Sequence, residues 1–155
     1  QNKKNCLIFY KKRDVEDLNK VKDFLNSRNY SFTVLTYGNY KKKDLINLAR
    51  KSKFGIIIDK TESQGIGIQE LMCCNLPLYV WDYTKAEFEG FEFNGTSVPY
   101  WSNECGLKVE NYHEFEKNFD DFIMNLKNYN PANYAKNVLS FEACGDKLKD
   151  SFLNW

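Results

Sequence analysis

The sequence predicts an α/β protein, a Rossmann-like, doubly wound parallel sheet of about five to six strands with helices on both faces. Two observations carry that expectation. Short apolar runs recur along the chain as continuous rather than alternating patterns, which is what strands buried on both faces require. Amphipathic stretches separate them, so strand and helix alternate at intervals of roughly 20 to 25 residues, the length of a βα unit.

The elements follow in order. Cys6–Tyr10 (CLIFY) reads as a buried strand. Asp14 caps a helix to about Ser27, with Val15, Leu18, Val21, Phe24 and Leu25 spaced for one apolar face. Tyr30–Tyr37 is rich in β-branched and aromatic residues and forms the second strand, ended by the turn signal Gly38-Asn39. Lys43–Lys53 is an amphipathic helix through Leu45, Ile46, Leu48 and Ala49, and Phe54–Asp59 (FGIIID) is a third buried strand. A loop leads to a helix over Gly67–Cys74, stopped at Asn75 ahead of Pro77, and Leu78–Trp81 is the fourth strand. Residues 82–104 read as irregular, with Asn94-Gly95 as a turn. Gly106–Val109 is the fifth strand, and helices follow near 113–128, 132–138 and 141–153. In such sheets ligands bind beyond the carboxyl ends of the strands, which directs attention to the loops after Tyr10, Tyr37, Asp59 and Trp81.

Composition narrows the function classes. A chain of 155 residues suits one domain, and an aromatic complement of 12 Phe, 10 Tyr and 3 Trp argues against disorder. With 22 basic and 21 acidic side chains and a net charge of +1, nothing points to nucleic acid or an anionic membrane as partner. The cysteines (Cys6, Cys73, Cys74, Cys105, Cys144) form no CxxC pair and are odd in number, and His113 is the single histidine, which disfavours a disulfide framework and a zinc site. A reducing, cytoplasmic setting is expected. No apolar run reaches the ~18 residues of a membrane span. The chain begins at Gln1, which is expected of an excised or processed piece.

The loop after the third strand carries the chemistry: Thr61-Glu-Ser-Gln-Gly-Ile-Gly-Ile-Gln-Glu70. Gly65 and Gly67 lie where the loop turns into a helix, and small residues there let a ligand approach the backbone. The first free N–H groups of that helix, with the positive end of its dipole, suit a phosphate or pyrophosphate. Ser63 can cap the helix or donate to the same phosphate. Glu62 can reach a group held in front of the helix, and Glu70, about a turn inside it, can accept two hydrogen bonds from a vicinal diol such as a ribose. The dinucleotide fingerprint GxGxxG fails here, because Glu70 stands where its third glycine belongs and the segment follows the third strand instead of the first.

Seven residues separate Glu62 from Glu70, and the stretch ESQGIGIQELMCCNLPLYVWD resembles the Glu-x7-Glu region of retaining GT-B glycosyltransferases. In that family it belongs to the C-terminal, donor-binding domain. The likeness extends more loosely to the basic residues after the first strand, a glycine after the second, TSVPYWSNECG before the last strand and the helical tail NYNPANYAKNVLSFEAC. The resemblance implies that 1–155 is one half of a GT-B fold and binds a nucleoside-diphosphate sugar. It implies transfer of the sugar with retention and without a metal or cofactor. Glu62 would contact the donor sugar near the reacting centre and Glu70 the ribose. Ser63, Gln64, Gly65, Ile66 and Gly67 would offer backbone donors to the diphosphate. Lys11, Lys12 and Arg13 would offset its charge, and the loop Gly38-Asn39-Tyr40 would lie against the base. The family's basic pair is an arginine with a lysine a few residues on. Here a cluster at 11–13 and Lys20 stand in that region, so which of them meets phosphate is open. The family's N-terminal domain, which holds the acceptor, has no counterpart in this sequence, and catalysis would need it or a partner.

Other features have plainer readings. His113 is a surface or capping residue at a helix start, Cys73 and Cys74 fill core, and Lys41-Lys42-Lys43 is a solvated helix start. Phe88–Phe93 alternates like an edge strand or forms a loop near the donor site. Tyr100 and Trp101 line the site or pack in the core, and Asp120-Asp121 is surface charge on a helix. Phe152, Leu153 and Trp155 are expected to be exposed where a second domain would pack. The alternatives are a nucleotide-sugar epimerase half, a non-catalytic Rossmann-like binding module, and a receiver-like domain. That last would want acidic residues where Lys11, Lys12 and Arg13 stand.

Overall fold

The computed structural model describes residues 5–153 and is an α/β fold; Trp155 lies outside the described residues. The main sheet contains β1 (Asn5–Lys11), β2 (Ser31–Thr36), β3 (Phe54–Asp59), β4 (Leu78–Trp81) and β7 (Gly106–Val109). Every neighbouring pair is parallel, in the order β2-β1-β3-β4-β7. Five strands in the spatial sequence 2-1-3-4-5 make the flavodoxin-like doubly wound arrangement. Chain progression reverses at β1, so its crossovers to β2 and β3 run to opposite sides and open a crevice at the carboxyl ends of β1 and β3.

The central strands β1, β3 and β4 are apolar on both faces because each face is covered, whereas the edge strands β2 and β7 expose Ser31, Thr33 and Lys108. Cys6 and Ile8 of β1, with Ile56 and Ile58 of β3, pack against Leu18, Val21, Phe24 and Leu25 of α1 (Val15–Ser27) and Phe115, Phe119 and Phe122 of α4 (Tyr112–Met124). Leu7 and Phe9, with Ile57, Leu78 and Val80, pack against Leu45 and Ala49 of α2 (Lys42–Lys51) and Ile68, Leu71 and Met72 of α3 (Ile66–Cys73). The first layer is held by edge-on aromatic contacts, such as Phe24 to Phe119 with ring centres 5.0 Å apart, and Tyr79 satisfies its buried hydroxyl by donating to the Phe115 carbonyl at 2.7 Å.

Several expectations are corrected. Residues 82–104 are not irregular throughout: β5 (Lys85–Phe88) and β6 (Phe91–Asn94) form an antiparallel hairpin. Its turn is Glu89-Gly90, both at positive φ, rather than Asn94-Gly95, as a two-residue hairpin turn requires. Val15 opens α1 exposed, because it is the first residue of the helix and the buried stripe begins a turn later at Leu18. Cys73 is exposed and Cys74 half-buried, since the buried stripe of α3 is Ile68, Leu71 and Met72 and Cys73 turns outward from it. α2 ends at Lys51, short of Lys53, and α4 ends at Met124 before a 3₁₀ turn over Leu126–Asn128. His113 is on the surface of α4, whose N-cap is Asn111.

The crossover from β4 to β7 carries the hairpin where a helix would ordinarily cover the sheet. That place is filled by Val98, Cys105 and half-buried Trp101 with the short helix α5 (Pro131–Tyr134) and the wide turn Ala135–Leu139 after it. α6 (Phe141–Leu153) buries none of its residues, and Phe141, Leu148, Phe152 and Leu153 are exposed. Among the described residues no helix is long and apolar enough to cross a membrane.

Candidate functional site

The crevice at the carboxyl ends of β1 and β3 holds a small pocket of about 130 Å³, lined by Phe9, Lys11, Tyr37, Asp59, Glu62 and the residues 64–68. Its far wall is the start of α3. Gly65 takes the N-cap in the left-handed region (φ +64°, ψ +39°), where a side chain would be strained, and its α-carbon faces the Pro99 ring. A β-carbon on Gly67 would lie 3.0 Å from Phe9 Cζ and 3.3 Å from the Tyr40 hydroxyl, so only glycine lets the helix sit this close to β1. Gly67→Ala is expected to lower stability by about 1–2 kcal/mol as Phe9 is displaced, measured by chemical unfolding.

The N–H groups of Ile66 and Gly67 meet no acceptor among the described residues, whereas those of Ile68 and Gln69 both reach the Gly65 carbonyl. Two free donors at the positive end of a helix therefore face the pocket. Ser63 and Gln64 are exposed in the loop, and Ile66 is exposed at the rim. Ser63 does not cap the helix. The helix starts at Ile66, which places Gly65 at the N-cap and Ser63 too early.

The opposite wall is basic. Arg13 N–H bonds to the Lys11 carbonyl at 2.7 Å across Lys12, which lies at φ +56° in a tight three-residue turn. This strained turn splits the three basic residues. Lys11 Nζ meets Glu62 Oε1 at 2.5 Å and lies 4.1 Å over the Tyr37 ring, with only 11% of its side chain exposed. Lys12 reaches the same oxygen at 3.1 Å from solvent, more than half exposed. Burial alone would raise the Glu62 carboxyl, but hydrogen bonds and charge from Lys11 and Lys12 outweigh it and hold the group below its ordinary value. Of these three basic residues only Lys11 lines the pocket, and Arg13 is turned away from it. It is buried, donates to the carbonyls of Asp59 (3.0 Å) and Trp81 (3.2 Å), pairs with Asp17 and stacks on Trp81 and Tyr83. It ties the ends of β3 and β4 together. Lys20, the other basic candidate, pairs with Asp17 on the outer side of α1.

Beneath Glu62 lies Asp59, fully buried. Its Oδ1 accepts from Lys60 N–H at 2.7 Å, and Oδ2 has no hydrogen-bond partner among the described residues. Burial first, then the negative charge of Glu62, push its carboxyl up to about 7.

Glu70 lies one turn into α3 and pairs with Lys42 of α2 at 2.8 Å. Tyr40 packs edge-on against Phe9, and its hydroxyl is raised by burial and by the Glu70 carboxylate. Gly38 (φ +86°) is exposed in the turn after β2, outside the pocket. Thus Lys11, Glu62, Gln64, Gly65, Ile66 and Gly67 converge on one pocket. Lys12 and Tyr40 flank it, Glu70 stands behind on the next turn, and Arg13 and Gly38 are apart.

Sequence reasoning passed over Asp59, Tyr37 and Lys42. It also missed the loop that braces the site. Asp82 accepts from Thr96 Oγ1 and from Ser97 N–H, Ser97 Oγ donates to the Asp59 carbonyl, and Glu62 N–H donates to the Thr96 carbonyl. Trp101 belongs to the core behind this loop, and Tyr100 lines a shallow groove with Gln64 and Gln69. No protein-family model, curated protein or solved structure matches this chain.

Proposed function

We propose that this chain is the donor-binding unit of a retaining, metal-independent glycosyltransferase, taking a nucleoside-diphosphate sugar. One observation carries the reading: at the switch point, two free helix N–H groups and the Lys11 ammonium face each other across a pocket whose third wall is Glu62. Such a pocket is chemically suited to an anion with several oxygens. At about 130 Å³ it is well below the ~300–1,000 Å³ that enclose a whole drug-sized ligand, so it suits one group of a larger molecule, the diphosphate. In this reading Glu70, a turn farther on, takes the ribose diol, and Tyr40, whose hydroxyl feels the Glu70 carboxylate, lies toward the base.

Topology supports the same reading. The six-stranded dinucleotide-type order 3-2-1-4-5-6, stripped of its outer strand, leaves the order found here with its switch point unchanged. In the mechanism, the α3 N-terminus and Lys11 stabilise charge developing on the leaving diphosphate, and Glu62 contacts the sugar at the reacting carbon. The acceptor comes from a second domain or a partner, and an open pocket of this size fits that division of labour. Calorimetric titration with UDP, GDP and their sugars tests the proposal. Binding is expected with one of the bases, and Glu70→Ala is expected to weaken it about 10- to 30-fold, the loss of hydrogen bonds to a charged acceptor. Binding that Glu70→Ala leaves unchanged would remove the ribose assignment.

A further inference from the structure

Asp59 is the one buried side chain in the pocket wall whose chemistry the donor-binding reading leaves unused. One of its oxygens is satisfied by Lys60 N–H, and the other meets no donor among the described residues. Its neighbour is the Glu62 carboxylate, which is itself only an acceptor when ionised. Two carboxyls in contact cannot both be satisfied as anions, but a shared proton satisfies both: the acid form of one donates to the other.

We propose that Asp59 is a positioning residue of the anion site: as the neutral acid it donates a hydrogen bond to Glu62 and leaves Lys11 to face the diphosphate, whereas as the carboxylate it draws Lys11 inward and repels the incoming anion. The proposal rests on the donor-binding reading. Several charged groups surround Asp59. Lys11, its register partner across β1 and β3, is the cation close enough to be recruited. Lys12 reaches Glu62 from solvent, and the Lys60 ammonium points away toward Asp14. Arg13 and Ser97 are both directed to the Asp59 main-chain carbonyl, so neither neutralises its carboxyl. With Lys11 and Glu62 already paired, a second carboxylate in the buried floor has no cation of its own, and burial favours its neutral form through about pH 7.

The consequence is an anion site that weakens as the medium becomes alkaline. The experiment is calorimetric titration with UDP and GDP, wild type against Asp59→Asn, from about pH 6 to pH 8.5, where a phosphate's own second ionisation near 6 affects both proteins alike. Asparagine reproduces the neutral acid. Wild-type affinity relative to the variant is expected to fall roughly tenfold across that range. A variant-free readout accompanies it: carboxyl-carbon NMR of the wild type, in which nucleotide is expected to raise the Asp59 midpoint, because binding and protonation favour each other reciprocally. Parallel pH profiles for the two proteins, or a midpoint that nucleotide leaves in place, overturn the role of Asp59 while the donor reading stands. Absence of nucleotide binding in both folded proteins at every pH overturns the donor reading, and the proposal with it.

Discussion

Lys11→Ala is expected to weaken nucleoside-diphosphate binding about 100-fold or more, while Lys12→Ala lowers it less than about threefold. The two lysines reach the same Glu62 oxygen but differ in surroundings. Lys11 is almost buried, stacked on Tyr37, and forms a pocket wall, whereas Lys12 is more than half exposed and screened by solvent. A cation in a dry wall opposite two helix N–H groups interacts far more strongly with an anion than one in water. Truncating it also leaves Glu62, only 8% exposed, facing the incoming phosphate with a weaker counter-charge. Adding Glu62→Gln to Lys11→Ala is expected to recover thermal stability without recovering binding, which separates loss of the cation from exposure of its partner. Calorimetry with the four proteins measures both effects. Equal losses for Lys11→Ala and Lys12→Ala would show that the charge acts at long range and the pocket geometry is irrelevant.

Asp59→Asn is expected to stabilise the fold by about 2 kcal/mol at pH 8, or roughly 4–8 °C in Tm, and to change it little at pH 4. The sign follows from which state holds the proton. In the unfolded chain an aspartate ionises near its ordinary value, whereas in the fold burial and Glu62 raise it to about 7. Between those values the folded state binds more protons, so stability is fully present below the ordinary value and is lost as pH rises through about 7. Asparagine removes that loss and can still accept from Lys60 N–H. Thermal unfolding of both proteins across the range reads the difference. A wild-type stability that rises from pH 5 to pH 8 relative to Asp59→Asn would contradict the buried, proton-sharing arrangement.

What could be read in advance depended on whether a residue's role is local. β1, β3 and β4 were legible because Leu7, Ile8, Ile56, Ile57 and Val80 form unbroken apolar runs, and runs of that kind need cover on both faces. The glycine turn into α3 was legible because Gly65 and Gly67 answer a backbone need at that point of the chain. The hairpin was legible only in part: Phe88–Phe93 alternates like an edge strand, but its phenylalanines remain exposed, Ala86 is the one side chain its strands bury, and its turn places a glutamate rather than asparagine at positive φ. Lys11, Lys12 and Arg13 are indistinguishable as a string of basic residues. The three-residue turn at Lys12 sends the first two to Glu62 and the third beneath the sheet ends. Asp59, Lys42 and the Asp82 clasp on Thr96 and Ser97 depend on contacts between distant segments, which no local pattern announces.

The central claim is that a nucleoside diphosphate docks its phosphates between Lys11 and the start of α3. An amide NMR titration of the isotope-labelled protein with UDP and GDP, against uridine and guanosine, tests it most directly. One diphosphate is expected to shift the amides of Gly65, Ile66, Gly67 and Lys11 most strongly, and to do so far beyond its nucleoside. Shifts centred away from the switch point, or equal for nucleoside and nucleotide, would contradict the assignment of this pocket to the diphosphate.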